Sequence, residues 1–166
     1  GESASWDLEA MELSASIAAK ETAAAGVHWT FAPMIDVSRD ARWGRIMEGA
    51  GEDPYLNAVI GVARIKGFQG SDLADVATIA ACAKHFAGYG FAEAGRDYNT
   101  VNVGTSELQN AILMPFKSAA EAGVATFMNS FNEIDGVPST ASTYLQRDIL
   151  KGAWDYKGFM VSDWGS

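Results

Sequence analysis

The chain has 166 residues, 48% of them hydrophobic and 20% charged, a balance that supports a packed core and excludes a disordered or low-complexity chain. Its 12 lysines and arginines face 21 acids, and the resulting net charge of -9 argues against nucleic acid as a partner, since a phosphate binder presents a basic face. No apolar run is long enough to span a bilayer, and the single cysteine, Cys82, has no partner for an internal disulfide.

In chain order, Trp6, Leu8, Met11, Leu13, Ile17 and Ala18 recur at helical spacing and predict a helix over 5–25 that Gly26 stops. The chain begins in mid-helix, so an export signal is expected upstream if there is one. Residues 27–31 read as a strand. Ala32-Pro33-Met34-Ile35-Asp36-Val37 then leads into a polar loop over 38–53, dense in Arg39, Asp40, Arg42, Arg45, Glu48 and Glu52. A loop of that length points to function rather than to mere connection. Asp53 and Pro54 are an N-cap and first residue for a helix running towards Gly67.

The pattern then repeats. Residues 76–83 read as a buried strand ending in Lys84-His85-Phe86, followed by a loop over 87–103 that contains Arg96 and Asp97. Thr105-Ser106-Glu107 is expected to cap a helix through Leu108, Ile112, Leu113 and Phe116, closed by Gly123. A strand over 124–128 leads to Asn129-Ser130-Phe131-Asn132 and a turn at Asp135-Gly136, and a helix follows over 142–151. The last apolar run, Gly158-Phe159-Met160-Val161, ends abruptly in Ser162-Asp163-Trp164-Gly165. Alternation of helices with about four apolar strands predicts an α/β fold of parallel βα units. Polar groups recur at strand C-termini, where parallel α/β proteins keep their chemistry. A lone Asp163 could be a turn former, but four such groups on one rim indicate a site.

Ala32 to Arg45, with its Arg-Trp-Gly-Arg ending, the Glu52-Asp53-Pro54 after it, Lys84-His85-Phe86 and Ser162-Asp163-Trp164 together resemble glycoside hydrolase family 3, which contains many β-glucosidases and β-xylosidases. The resemblance runs over nearly the whole chain, with the motifs in the family's order. It implies that residues 1–166 are part of that family's N-terminal TIM (β/α)8 barrel, with the first strands and the second domain absent. A closed barrel of eight units needs roughly 200 residues or more, so about half a barrel is expected here.

The resemblance also assigns roles. Asp163 matches the aspartate of Ser-Asp-Trp and would be the nucleophile of a retaining glycosidase, forming a covalent glycosyl-aspartate intermediate. Lys84 or Arg45 is expected to lie near it and keep it ionised. Lys84, His85 and Arg45 match residues that bind sugar hydroxyls; Arg96 lies where related enzymes place another arginine, and Met128 matches a methionine against the substrate. Phe131 stands where many members have tyrosine, which removes a hydroxyl near the nucleophile. Trp164 could form an apolar platform for a sugar face or be a core residue. Arg39 and Arg42 are read as braces for the loop, through acids such as Asp40 and Glu52.

The implied activity is hydrolysis of terminal non-reducing β-D-glucosyl or related neutral sugar residues from a β-linked oligosaccharide or glycoside. The acid/base carboxylate is expected from the missing C-terminal domain, and a hydroxyl-binding aspartate from upstream. A β-xylosidase is an alternative within the family. The β-N-acetylglucosaminidase branch is disfavoured because the loop after Gly88-Tyr89-Gly90 has no histidine. Outside the family, a non-catalytic carbohydrate-binding or scaffold module is the alternative. No cofactor and no metal are expected, since His28 and His85 lack second ligands at suitable spacing. Periplasmic or secreted locations suit the parent protein.

Overall fold

The structure is a computed structural model that describes residues 1–166. Helix α1 (Leu8–Ala24) starts at Asp7, whose carboxylate accepts the Ala10 N–H at 2.9 Å. Helix α2 (Pro54–Gln69) starts in the same way at Asp53, with Pro54 opening the first turn. The face of α1 that packs is Met11, Ala15 and Ala19, while Leu13 and Ile17 remain exposed. Small residues bring the two helices close, and closest at Gly67. That glycine does not end α2 as expected, because it lies inside the helix, where a methyl group would press on the Glu12 carbonyl and sit 2.6 Å from Ala15 Cβ. Gly67→Ala is therefore expected to destabilise the chain by about 1–2 kcal/mol, read as a lower denaturant midpoint with an unchanged slope.

Strand β1 is Cys82–Phe86, later than the sequence suggested. Residues 76 and 77 are drawn away from the sheet by turn chemistry, since Asp72 accepts the Ala74 N–H at 2.9 Å and Asp75 accepts the Ala77 N–H at 2.8 Å, while Ala80 already bridges Trp29 ahead of the regular strand. Val76 is consequently 92% exposed. The expected helix over 105–123 is broken into α3 (Thr105–Glu107), a π-turn (Leu108–Ile112) and α4 (Met114–Glu121). Pro115 supplies the reason, because its ring cannot sit beneath the carbonyl of the preceding turn and has no N–H to donate. No side chain caps this helix, although Thr105-Ser106-Glu107 suggested one.

Strand β2 (Thr126–Asn129) leads to a hairpin of β3 (Glu133–Ile134) and β4 (Val137–Pro138). Its tip, Asp135-Gly136, takes φ of 50° and 83°, the two positive values that a tight hairpin turn requires. A π-helix (Tyr144–Ala153) and strand β5 (Phe159–Val161) complete the chain.

The sheet is parallel, in the order β1, β2, β5. Residues 28–35 run alongside β1 as a further extended segment, bonding through His28, Thr30, Ala32, Pro33 and Ile35 but with regular bridges only at Trp29–Ala80 and Met34–Lys84. Neighbours in sequence are thus neighbours in the sheet, with a helix in each crossover. This is the winding of a TIM barrel rather than of a doubly wound sheet, whose strand order reverses at a switch point. The main core lies between the sheet and its crossover helices, around Phe86, Phe116, Phe127, Leu150 and Tyr156.

Candidate active site

Parallel register aligns one row across the sheet: Met34 bridges Lys84, Lys84 pairs with Met128, and Met128 pairs with Val161. The polar residues of interest lie on that row or within two positions beyond it, at the carboxyl-terminal rim. Two residues after Met34 comes Asp36; one after Lys84 comes His85, where the β1 register shifts; two after Val161 comes Asp163. The apolar run Pro33-Met34-Ile35 delivers Asp36 just as Phe159-Met160-Val161 delivers Asp163.

His85 is fully buried between these carboxylates. Its Nδ1 lies 2.7 Å from Asp36 Oδ2, which also accepts the His85 backbone N–H at 2.9 Å. Its Nε2 lies 3.3 Å from Asp163 Oδ2, without the angle of a hydrogen bond. Asp163 in turn accepts the Trp164 backbone N–H at 2.7 Å on Oδ1. Asp36 belongs to the motif that the sequence singles out, yet its part in the site is visible only here.

The cations behave differently from expectation. Neither Lys84 nor Arg45 forms an ion pair with Asp163, whose neighbour is the His85 ring. Lys84 is half-buried and pairs with no carboxylate. Arg45 makes a bidentate pair with Glu48, at 2.7 and 3.0 Å, and its guanidinium lies 5.4 Å from the Tyr89 ring centre. That pairing raises the Arg45 pKa and lowers that of Glu48. Tyr89 is fully buried and touches His85, Trp43 and Phe131 edge-on or tilted. Burial raises its phenol pKa, and the neighbouring Asp97 raises it further.

Arg96 is exposed, directs Nε to the Glu93 carbonyl at 3.4 Å and is not brought to Asp163 by any bond. The loop is anchored instead by its neighbour Asp97, which accepts the Trp43 indole N–H at 3.0 Å. Arg42 braces Asp40 as expected, whereas Arg39 pairs with Glu107 at 3.5 Å rather than with a loop acid.

Met128 is buried on the row, and Phe131, Tyr98 and Trp164 line an open cleft of about 500 Å³ beside Asp163. Trp164 is 92% exposed, so it is not a core residue. No three His, Cys, Asp or Glu side chains converge as a metal ion would require. Cys82 lies beneath the row, and burial pushes its thiol up to about 11. Thiolate is therefore scarce below that pH, and iodoacetamide at pH 8 is expected to leave Cys82 unmodified until the chain is denatured.

A singly wound parallel arc with a carboxylate, a buried His–Asp pair and a lysine at its carboxyl-terminal rim has the layout of a barrel-enzyme site. Residues 2–166 match the glycosyl hydrolase family 3 N terminal domain, and the chain belongs to that family. It is 40% identical over its full length to a periplasmic beta-glucosidase of Salmonella typhimurium and 39% identical, over 95% of its length, to a beta-xylosidase of Formosa agariphila. It spans 22% of each of those two proteins. Among solved structures, a beta-glucosidase from Listeria innocua superimposes with a TM-score of 0.95 and 45% identity, covering 98% of this chain and 23% of that one. The Listeria enzyme has also been solved with glucose.

Proposed function

We propose that residues 1–166 form part of the barrel of a longer chain that hydrolyses terminal non-reducing β-D-glucosyl residues with retention, and that Asp163 is its nucleophile. The observation that carries this reading is the placement of Asp163. It stands at the end of β5 on the open rim, with Oδ1 tied to the Trp164 N–H and Oδ2 facing His85. Such a carboxylate is held in one orientation beside a cleft, as attack on an anomeric carbon requires.

In this mechanism Lys84 donates to sugar hydroxyls with an ammonium that no carboxylate engages. Arg45 adds hydrogen bonds, His85 serves the site from behind with its ring nitrogens directed at Asp36 and Asp163 rather than at the sugar as the resemblance implied, and Met128, Phe131 and Trp164 offer apolar surface to the ring faces. Arg96 is assigned to the outer edge of the same site. Asp163 attacks the anomeric carbon as the leaving oxygen is protonated, and water then releases the sugar from the glycosyl-aspartate with net retention. The protonating carboxyl group comes from a C-terminal domain, and the enzyme acts outside the cell or in the periplasm, the second being the location in the Salmonella relative's name.

The test is intact mass after incubation with a dinitrophenyl 2-deoxy-2-fluoro-β-glucoside, followed by mapping of the adduct. A stable adduct on the peptide holding Asp163 is the expected result. No adduct with this reagent or its xylose analogue would overturn the glycosidase reading and favour a binding module. Labelling by the xylose reagent alone would favour a β-xylosidase, the activity named for the Formosa relative.

A further inference from the structure

We propose that Asp36 is a positioning residue for this site, acting through His85 to set the orientation of the Asp163 carboxylate. The inference rests on the glycosidase reading for what Asp163 does, but the geometry behind it stands independently. Asp36 is 1% exposed and His85 is 0% exposed, so neither pairs by accident of surface mobility. One oxygen, Asp36 Oδ2, receives two donors from the same residue, the ring Nδ1 at 2.7 Å and the backbone N–H at 2.9 Å. Two bonds from one carboxylate to one histidine fix both where its backbone sits and how its ring is turned.

The donor inventory then dictates the rest. An ionised carboxylate only accepts, so the ring proton must lie on Nδ1 when Asp36 is charged. Nε2 lies 3.3 Å from Asp163 Oδ2 and can hold that carboxylate only when it too carries a proton, as in the imidazolium, because a bare ring nitrogen and a carboxylate oxygen both accept. Oδ1 is held by the Trp164 N–H, and the attraction of a protonated His85 ring for Oδ2 would fix how the Asp163 carboxyl group is turned. The same buried arrangement orients metal-binding histidines and catalytic triads, where an acidic partner behind the imidazole fixes its tautomer and direction. Asp36 touches neither Asp163 nor the cleft, and its influence passes entirely through the imidazole.

A double-mutant cycle on the full-length chain tests this. The readout is the rate constant for labelling by the dinitrophenyl fluoroglucoside, normalised to the final labelled fraction so that misfolded molecules do not count. Asp36→Asn is expected to slow labelling about 100-fold in the wild-type background. In the His85→Ala background it should change the rate less than about threefold, since the path it acts through is gone. Equal slowing in both backgrounds, or no slowing in the first, would overturn the role of Asp36 while leaving the nucleophile in place. An unlabelled wild-type chain would overturn both readings together.

Ring ¹⁵N NMR of the wild-type protein supplies a check that needs no variant to fold. His85 should carry protons on both ring nitrogens, one facing Asp36 and one facing Asp163, and a ring lacking either proton would refute the proposal.

Discussion

Replacing Asp163 by Asn or Gly is expected to lower kcat/KM of the full-length enzyme on aryl β-glucosides by about 10⁴-fold or more, because a reaction that runs through a covalent intermediate has no alternative nucleophile of comparable reach. Fluoroglucoside labelling should disappear at the same time. Two further readouts separate loss of chemistry from loss of structure. Thermal unfolding should shift little, since Asp163 lies just beyond the end of β5 and the hydrogen bond its carboxylate makes is to the adjacent Trp164 N–H. Azide added to the Asp163→Gly variant should restore turnover of a dinitrophenyl β-glucoside by attacking from the vacated face, and its product should be the α-glycosyl azide. A variant that keeps a tenth of wild-type activity would remove Asp163 from the nucleophile's role.

The second large effect concerns stability. Gln69, at the end of α2, is buried, and its amide makes three hydrogen bonds to two backbone segments. Its Oε1 accepts the Ala81 N–H at 3.2 Å and the Ala125 N–H at 2.8 Å, and its Nε2 donates to the Gly123 carbonyl at 3.0 Å. Ala81 and Ala125 immediately precede β1 and β2, so one side chain aligns the starts of two adjacent strands. Gln69→Leu keeps the volume but leaves two buried N–H groups without an acceptor, and is expected to destabilise the chain by about 3 kcal/mol. In a domain of this size that corresponds to a fall in Tm of roughly 6–12 °C. Gln69→Glu retains the acceptor and should cost less. A loss below about 1 kcal/mol for the leucine variant would mean that water reaches those groups.

Much of the fold is legible in the sequence. Asp53-Pro54 opens a helix through a bond spanning three residues, and Asp135-Gly136 makes its turn for reasons confined to the turn itself. The apolar run over 158–161 with its terminal aspartate marks both the last strand and the candidate nucleophile. Where the reading fails, a competing local rule or a distant contact prevails. The strand expected from residue 76 starts instead at Cys82, because two Asx turns claim the chain up to Ala77 and only an isolated bridge at Ala80 precedes the regular pairing. Gly67, a plausible helix end, is a close crossing with α1.

The site divides along the same line. The resemblance drew attention to the stretch containing Asp36, and spacing put polar residues at strand ends, but no signal within the stretch says that Asp36 grips His85, 49 residues away. Nor does composition reveal that Arg45 pairs with Glu48, that Arg39 reaches Glu107, or that Gln69 ties two strands together. The sequence by itself determined the alternation of elements, their caps and turns, and the carboxylate at the end of the last strand, since these depend on bonds and periodicities a few residues long. Only the tertiary structure decided which charged groups meet, because parallel register brings together side chains from separate strands that lie tens of residues apart in the chain.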